Sequence, residues 1–382
     1  MTHGGLLDIR RDDAHLAKAR CNLRQRRNAG TIDTVVVRNQ DSSLHINKKR
    51  ASEWFWPNSL QEESLRIGMR ITLMHNPKAG DAEHGEKQLM TALAKAGHHA
   101  TYQSTKKSDY KKALKKPTDL VLAAGGDGTV GKIGCRMIDS GIPLSVLPLG
   151  TANNLARSLG FTASPEEIIR RLEGGKKLTF DVGLTRGPWG KRYFFESVGG
   201  GLLADYVSAG ERKAKKTKRL SSEQEMTLHV SLLRRMLHDY PTREWKIDID
   251  GEDVSDRYIL WEAMNIRSIG PALYLASQAA TRDGRLDFVC ARESDRSLLM
   301  DHLDARLSGK KPKFPLSIRR FCKLQVAWKG SSKLHLDDKL FPRKKQESKQ
   351  RREIEITVRP SALVILRPGR KISKIAGHIR PM

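Results

Sequence analysis

The sequence lacks the features that mark secreted and membrane-spanning proteins. None of its uninterrupted apolar stretches approaches the roughly 20 residues that a membrane-spanning helix needs, and its N-terminus lacks the apolar core of a secretory signal. Only four cysteines occur in 382 residues, and their spacing is not that of a paired metal motif. We therefore expect a cytoplasmic protein with reduced thiols and neither a disulfide framework nor a zinc site.

Acidic residues are scarce relative to basic ones. The 43 acidic residues face 70 lysines and arginines, which gives a formal net charge of +27 and a pI near 10.1. Such a surface attracts nucleic acid, anionic lipid or nucleotide phosphates. The basic clusters at 212–219 and 343–352 contain no interleaved aromatic residues of the kind that stack on bases. We therefore expect no nucleic-acid partner, and these clusters are either solvated loops or contacts to an anionic membrane surface.

The hydrophobic pattern divides the chain into four parts. Residues 1–67 show little periodicity and are expected to be a poorly ordered or atypical N-terminal extension, so Met69 could itself be the initiator. Residues 69–181 alternate between strand-like and helix-like segments, and residues 182–366 are mostly strand-like. A C-terminal tail follows at 367–382 and could return to the first domain. A chain of this length is expected to form two domains.

The alternating region predicts a parallel sheet covered by helices, because strands and helices follow one another at short spacing. The predicted strands cover 69–74, 99–103, 120–124 and 143–147, and the predicted helices cover 86–96, 109–115, 130–138 and 152–158. In the second domain the predicted strands cover 192–198, 245–250, 258–266, 286–290, 323–328, 354–358 and 363–366, with one helix at 223–237. The fold class is therefore α/β, followed by a β-rich second domain with the active cleft between the two.

Three turns follow three of the predicted parallel strands directly. They are 75–80, 123–129 and 148–151. Ligands in such sheets bind beyond the carboxyl ends of the strands, where all three turns fall. The sequence therefore predicts one binding rim built from three separate segments.

The second turn reads Ala-Ala-Gly-Gly-Asp-Gly-Thr. Gly125, Gly126 and Gly128 let the main chain approach an anionic ligand, so that backbone amides can cradle phosphate oxygens. Asp127 could hold a metal ion or orient an attacking hydroxyl, and Thr129 could bond a phosphate oxygen. An ordinary glycine turn after a buried strand is the alternative interpretation.

The other two turns offer polar groups to the same rim. Asn76 can bind the polar edge of a nucleotide, and Lys78 can offer a point charge to phosphate. In the third turn Thr151 stands at a predicted helix start, where its hydroxyl could contact the ligand or simply cap the helix.

Taken together in this order and spacing, the three turns resemble those of the diacylglycerol kinase catalytic-domain family, especially its bacterial lipid kinases, with sphingosine kinases as relatives. The resemblance runs from about Met69 to the C-terminal region. Further matching segments are 180–183, 194–201, 283–287 and 359–368.

This resemblance implies transfer of the γ-phosphoryl group of ATP to a lipid hydroxyl with Mg²⁺, and an α/β nucleotide domain followed by a β-sandwich domain. It implies nucleotide contacts from Gly126, Asp127, Gly128, Thr129 and Thr151, with Ser104 or Thr105 at the place of another. It also implies a structural metal on the Asp283 side chain, completed by main-chain oxygens of Ala280 and Arg285. An acidic loop tip is the alternative for Asp283.

Two departures from the family pattern concern charge. The family's glycine turn commonly continues with an Asn-Glu pair, and here those places hold Gly131 and Lys132. The family's proton acceptor ends an Asp-Gly-Glu triplet, and here that place holds Lys339 after Asp337 and Asp338. A protonated lysine cannot act as that base. Either Asp338 or Asp337 substitutes, or Asp127 does the work, or the protein binds its ligands without turnover.

The preferred interpretation is a cytoplasmic lipid kinase that associates peripherally with membranes. One alternative is a kinase for a soluble hydroxyl, like the NAD kinases, which share the Gly-Gly-Asp-Gly-Thr turn; the third turn fits the lipid group better. Another is a nucleotide- and lipid-binding protein with weak or lost catalysis. The sequence identifies neither the acceptor lipid nor the oligomeric state.

Overall fold

The structure is a computed structural model that describes residues 68–80, 84–213, 220–342 and 352–369, together with three strands in the first 66 residues. The chain divides into two units, residues 1–66 and residues 67–382. The described strands of the first unit are β1 (Leu6–Ile9), β2 (Thr34–Asn39) and β3 (Ser42–Ile46). Strand β2 pairs in parallel with β1 and antiparallel with β3. The rest of the predicted extension, the tail beyond Gly369 and most of both basic clusters lie outside the described residues.

The second unit begins with four parallel strands in the spatial order β5-β4-β6-β7. They are β4 (Arg70–His75), β5 (His99–Ser104), β6 (Leu120–Gly125) and β7 (Leu144–Pro148). All six residues of β6 are buried, as expected for a central strand with helices on both faces. The predicted parallel sheet is confirmed.

Five helices connect these strands and follow them. They are α1 (Glu86–Lys95), α2 (Tyr110–Ala113), α3 (Asp127–Met137), α4 (Asn154–Leu159) and α5 (Pro165–Arg170). Helix α3 begins three residues earlier than predicted. The carbonyl of Gly126 already accepts from the amides of Thr129 and Val130, and an acidic residue at the first helical position is favoured by the helix dipole. Asp127 is therefore part of the helix rather than of a preceding loop.

The rest of the unit contains a β-sandwich. Its first layer is a six-stranded antiparallel sheet in the order β16-β15-β14-β10-β18-β19. These strands are β10 (Ser197–Gly201), β14 (Leu260–Met264), β15 (Leu286–Ala291), β16 (Arg319–Phe321), β18 (Leu334–Leu336) and β19 (Lys339–Phe341). The facing layer contains β8 (Lys176–Gly187), β9 (Gly190–Phe194), β11 (Arg243–Ile249), β12 (Glu252–Asp253), β13 (Asp256–Tyr258), β17 (Lys323–Trp328) and β20 (Arg352–Arg367). Trp245, Trp261 and Trp328 are buried between the layers. The predicted fold class, α/β followed by a β-sandwich-like domain, is confirmed.

Three helices cover the outer face of the six-stranded sheet, where the sequence predicted one. They are α6 (Leu202–Lys213), α7 (Ser222–His238) and α8 (Arg296–Leu307). Leu203, Leu233 and Leu299 pack from these helices in a shared apolar cluster with Met264 and Val289 of the sheet. The helix at α7 matches its predicted position. The other two have 12 residues each, and the apolar residues of α8 show little helical periodicity.

Strand β20 links the sandwich to the parallel sheet. Its first half pairs with β17, and its residue Ile365 pairs in parallel with Leu144 of β7. The sequence divided this strand into two shorter ones. A register shift between Arg359 and Leu363, with Ser361 at a φ of 51°, explains the apparent gap. Strand β8 pairs along both halves of β20 and crosses position 181 without a break, so the two parts of the unit share continuous strands.

No helix in the described part of the chain combines the length and the apolar character that crossing a bilayer requires. Cys135, Cys290 and Cys322 are free thiols, and Cys21 lies outside the described residues.

Candidate active site

A cleft of about 640 Å³ opens at the carboxyl ends of the parallel strands. All three predicted turns reach it, and a turn of the β-sandwich closes one side. It brings together most of the predicted site residues, namely Asn76, Lys78, Gly126, Asp127, Gly128, Thr129, Thr151 and Asp338. Gly125, the last residue of β6, directly precedes the lining residue Gly126 in the sequence.

Two of the turns touch through their backbones. A Cβ placed on Gly150 would lie 2.6 Å from Cα of Gly126, a distance that real side chains do not reach. Glycine is therefore required where the second and third turns meet. The first turn joins them through a hydrogen bond of 3.2 Å from Asn76 Nδ2 to Thr129 Oγ1. The rim is thus one connected surface.

The Asp127 side chain holds the third turn in place. Its two carboxylate oxygens accept hydrogen bonds from the amides of Asn154 at 3.0 Å and Leu155 at 2.9 Å, at the start of α4. Burial raises the pKa of Asp127, while these two amide bonds oppose the rise. A carboxylate bound to helix amides positions the rim, a role that the sequence did not indicate.

Thr151 does not cap helix α4. The cap position is Asn153, with a φ of 48° and no side-chain capping bond, because Asp127 supplies the acceptor instead. The Thr151 hydroxyl donates to Glu225 Oε2 of α7 at 2.7 Å. A helix of the second domain therefore reaches this rim, which the sequence did not indicate.

Of the two alternatives at 104 and 105, Thr105 is the residue that lines the cleft. The hydroxyl of Ser104 accepts from the amide of Lys106 at 3.3 Å. Lys132 Nζ donates to the carbonyl of Thr105 at 2.7 Å and lies 4.0 Å from the ring centre of Tyr110. The lysine at the family's glutamate position thus fastens α3 to the neighbouring loop.

The turn between β18 and β19 brings Asp337, Asp338 and Lys339 to the cleft. The Asp337 carboxylate accepts from the amides of Phe195, Glu196 and Ser197 at 2.8 to 3.3 Å. Burial raises the pKa of Asp337 to about 6, even though these hydrogen bonds lower it. Asp337 is therefore fixed in the protein.

Asp338 differs from its neighbour because its side chain is 60% exposed. It approaches the glycine turn so closely that a Cβ on Gly128 would lie 2.7 Å from Asp338 Oδ2. Lys339 Nζ lies 3.9 Å from Asp338 Oδ1. Asp338 is thus the carboxylate of this turn that is open to a ligand.

A second pocket of about 320 Å³ adjoins the cleft. Asp127, Gly128, Lys132, Asp338 and Lys339 line both spaces and form the wall between them. The remaining lining residues are Tyr110, Gly131, Cys135, Arg136, Lys191, Arg192, Tyr193, Leu336, Asp337 and Phe341. We call this space the adjoining pocket.

Glu196 is a buried acid behind the wall that the sequence analysis missed. Its Oε2 accepts from Asn154 Nδ2 at 3.4 Å. Burial, followed by the charges of Asp127 and Asp337, holds the pKa of Glu196 well above its ordinary range. A charged residue inside the apolar and glycine-rich run 194–201 was the available signal.

Replacing Glu196 with glutamine is expected to flatten the dependence of stability on pH. Between the ordinary carboxyl pKa, about 4.3, and the raised value, the unfolded chain releases a proton that the folded protein keeps. The free energy of unfolding of the wild type therefore falls as pH rises through this window. Glutamine mimics the protonated acid, so the variant should match the wild type near pH 4 and exceed its stability at pH 8. Each unit of pKa difference contributes about 1.4 kcal/mol.

Urea unfolding at pH 4, 6 and 8 measures this effect. Glu244→Gln, which neutralises an exposed carboxylate, is the matched control and should leave the pH profile unchanged. Equal profiles for Glu196→Gln and the wild type would show that Glu196 is not protonated in the folded protein.

A buried His–Glu pair supports the turn between β18 and β19. His335 Nε2 lies 2.8 Å from Glu262 Oε1, and the Glu262 side chain is 0% exposed. The other ring nitrogen of His335 is 3.1 Å from the carbonyl of Asp337. Gly199 lies between these two residues in the sheet, and a Cβ there would lie 2.2 Å from Glu262 Oε1. The pair therefore anchors the turn that carries Asp338.

The three residues predicted to hold a metal lie in a loop away from the lining of the cleft. Asp283 is exposed, and its Oδ1 accepts from the amide of Arg285 at 3.1 Å. Buried Asp181 holds this loop by accepting from the amide of Gly284 at 2.8 Å. Ala280 is exposed. Among the described residues no group of three His, Cys, Asp or Glu side chains is arranged to hold a metal ion.

Two family models match the chain. The model described as diacylglycerol kinase catalytic domain matches residues 70–185, and the model described as YegS C-terminal NAD kinase beta sandwich-like domain matches residues 205–367. Together they cover the parallel sheet and most of the sandwich, while β9 and β10 lie between the two matched ranges.

Curated relatives carry the name diacylglycerol kinase. The protein of Bacillus subtilis strain 168 is 27% identical over 239 residues, which is 59% of this chain and 75% of that protein. The protein of Mycobacterium tuberculosis strain H37Rv is 27% identical over 190 residues, 49% of this chain and 60% of that protein.

Solved structures share the fold. A crystal structure of a diacylglycerol kinase from Bacillus anthracis strain Sterne superposes with a TM-score of 0.58 at 19% sequence identity, and covers 79% of this chain and 98% of that one. At this identity the likeness supports the architecture described above, and the chemistry must be argued from the site itself.

Proposed function

Because the chain belongs to the diacylglycerol kinase catalytic-domain family, we propose that it transfers the γ-phosphoryl group of ATP to the hydroxyl of a lipid. The observation that carries this proposal is the wall shared by the cleft and the adjoining pocket. A phosphoryl donor on one side and an acceptor on the other would meet at Asp338 and the glycine turn. Phosphoryl transfer depends mainly on such positioning and on charge neutralisation.

The cleft has the groups that a nucleotide triphosphate needs. The glycine turn and the N-terminus of α3 present backbone amides to phosphate oxygens. Lys78 and Lys132 line the same space and offer positive charge. The Asn76 side-chain amide, which donates to Thr129 Oγ1, would offer polar atoms that orient the nucleotide. ATP is the donor that this arrangement supports best.

The oxygen ligands available in the cleft also fit the Mg²⁺ ion of a Mg²⁺–nucleotide complex. Exposed Asp338 is the carboxylate that could join phosphate oxygens and water around the ion, since both oxygens of Asp127 are bonded to α4. Mg²⁺ prefers such a mixture of few carboxylates, phosphates and water. When bound, the ion neutralises charge on the phosphates, and the chain's own part is to hold Asp338 at the wall.

Asp338 is also the best-placed proton acceptor. It is open to both spaces, whereas Asp337 is committed to three backbone amides. Lys339 beside it would stabilise the negative charge that develops during transfer. The family's base is therefore replaced by the preceding residue in the same turn.

Asp338→Asn is expected to lower kcat by about 10² to 10⁴, the usual contribution of a positioned base. The affinity for ATP measured in the absence of Mg²⁺ should change little, because the glycine turn and Lys78 remain. The assay follows transfer of radiolabelled phosphate from γ-labelled ATP to a total lipid extract, with ATP affinity measured separately by equilibrium dialysis. Asp301→Asn, an exposed aspartate of α8, is the matched control and should be silent.

The same assay tests the non-catalytic alternative. ATP binding without any labelled product in the wild type would identify a binding protein and overturn the kinase proposal. A labelled soluble product without labelled lipid would instead favour the alternative of a kinase for a soluble hydroxyl. Full activity in Asp338→Asn would overturn only the assignment of the base.

We also propose peripheral association with an anionic membrane surface. The support is the net charge of +27, since each Lys or Arg near an anionic leaflet contributes about 1 kcal/mol. The assay is sedimentation with phosphatidylserine-containing liposomes. We expect binding at about 50 mM salt that weakens strongly at about 300 mM, because salt screens exposed charges. Binding that does not respond to salt would contradict an electrostatic association.

A further inference from the structure

The adjoining pocket is strongly basic at the places open to solvent. Arg136, Lys191, Arg192 and Lys339 line it and are exposed. They come from three different elements, α3, β9 and β19, which converge on the wall beside Asp338. Cations gathered from separate elements around one space are typical of a site for an anionic group.

The acids of the pocket, Asp127, Asp337 and Asp338, offset these cations only in part. Asp127 and Asp337 direct their carboxylates to backbone amides. Within the described residues, no ion pair within 4.0 Å involves Arg136, Lys191 or Arg192, and Lys339 meets only Asp338 at 3.9 Å. Like charges in one concave space repel each other, so a ligand anion between them would relieve an existing cost.

The two departures from the family pattern lie in this wall. Lys132 and Lys339 occupy places where the family commonly has glutamate, and both line the cleft and the adjoining pocket. Each change replaces a negative charge with a positive one at the boundary between donor and acceptor. The reversal adds positive charge at the place where the acceptor would lie.

Apolar and aromatic groups complete the pocket. Tyr193, Leu336 and Phe341 line it together with the cations. Such a combination fits an amphiphile that has an anionic headgroup and an apolar body.

Building on the proposed function, we propose that the acceptor is an anionic lipid, whose reactive hydroxyl lies next to a phosphate group held by Arg136, Lys191 and Lys339. In the transfer, the acceptor oxygen forms a new bond to the γ-phosphorus. The bond between that phosphorus and the bridging oxygen of ATP breaks, ADP leaves with the electron pair, and the hydroxyl proton passes to Asp338.

A pair of acceptors that differ by one phosphate tests this directly. The probes are 1-acylglycerol and 1-acylglycerol 3-phosphate with the same acyl chain, in the same neutral detergent micelles. We expect the wild type to prefer the phosphate-bearing acceptor at least tenfold in kcat/KM. Arg136→Gln and Lys191→Gln should each reduce this ratio about fivefold, because each removes one charge-assisted hydrogen bond. Arg235→Gln and Lys87→Gln, exposed cations outside the pocket, should preserve the ratio.

The kinetic outcomes separate the two proposals. A ratio near one, or a ratio that Arg136→Gln and Lys191→Gln do not change, overturns the anionic acceptor while leaving the lipid kinase intact. Phosphorylation of soluble glycerol 3-phosphate as efficiently as of its acylated form overturns the lipid part and assigns the pocket to a free phosphate ester.

A second measurement does not depend on turnover. Cys135 lines the adjoining pocket and is exposed, while Cys322 is exposed elsewhere. Alkylation of both thiols by iodoacetamide is followed at pH 9 by peptide mass spectrometry. We expect 1-acylglycerol 3-phosphate to slow labelling of Cys135 at least fivefold relative to Cys322, and 1-acylglycerol to have less effect. Equal protection by both lipids would overturn the proposal even if no transfer is observed.

Discussion

Asp127→Asn is expected to reduce lipid phosphorylation at least 100-fold and ATP affinity about tenfold. The carboxylate accepts from the amides of Asn154 and Leu155, and asparagine can replace only one of these acceptors. Its amide group would place a donor against a backbone donor, so the second and third turns would separate. A displacement of about 1 Å in a positioned site can cost 10²-fold in rate.

The same change should lower the free energy of unfolding by about 1.5 to 3 kcal/mol, the usual value of a hydrogen bond to a charged group. Radiolabelled transfer, equilibrium dialysis with ATP and urea unfolding measure the three effects. Asp109→Asn changes an exposed aspartate that contributes no side-chain cap to α2 and should alter none of them. Full transfer activity in Asp127→Asn would refute the assignment of the glycine turn to the nucleotide site.

His335→Ala is expected to lower the free energy of unfolding by about 3 to 5 kcal/mol, because it leaves Glu262 as an unpaired charge in the protein interior. Both side chains are almost completely buried, and water cannot replace the missing partner. The turn that carries Asp338 also loses its contact to the Asp337 carbonyl. We therefore expect kinase activity to fall further than the loss of folded protein explains.

Replacing both members of the pair provides the comparison. Glu262→Met combined with His335→Leu fills the same space without a buried charge and should recover most of the stability, as hydrophobic replacements of buried ion pairs often do. It should not recover the activity, because the Asp337 carbonyl still lacks its partner. Exposed His99→Ala should be neutral. A loss below about 1 kcal/mol in His335→Ala would show that the pair does not stabilise the fold.

The pair also has a defined dependence on pH. Burial lowers the pKa of His335, but the charge of Glu262 and its hydrogen bond outweigh burial and raise it. The resulting stabilisation is complete below the ordinary histidine pKa of about 6.5 and is lost as pH rises through the raised value. His335→Ala should therefore cost more at pH 6 than at pH 9 in urea unfolding.

The parallel sheet and its rim could be predicted because their signals are local. Strand 120–124 and turn 125–129 are contiguous in sequence, and a buried strand followed by glycines and a helix has a recognisable pattern. The same reasoning located the turns at Asn76 and Thr151. Helices α6 and α8 were missed, since α8 has little amphipathic periodicity and α6 directly follows the glycine-rich run 194–201.

The roles of individual acids depended on distant contacts. Asp127 lines the cleft, and its carboxylate also accepts a hydrogen bond from α4, 27 residues further along the chain. Glu196 was overlooked, although its neighbours Asn154 and Asp337 belong to two other segments. Among the aspartates considered as bases, only the structure separated Asp337, which is held by amides, from Asp338, which is exposed.

The sequence by itself determined the order of strands and helices in the parallel-sheet part, the glycines of the phosphate-type turn, and the positive charges at 132 and 339. All of these are properties of residues near one another in the chain. The tertiary structure decided which carboxylate is exposed, which accepts hydrogen bonds from backbone amides, and that the two lysines meet at one wall. Burial and hydrogen bonding determine the protonation state of an acidic side chain and its access to a ligand. Both depend on segments that only folding brings together.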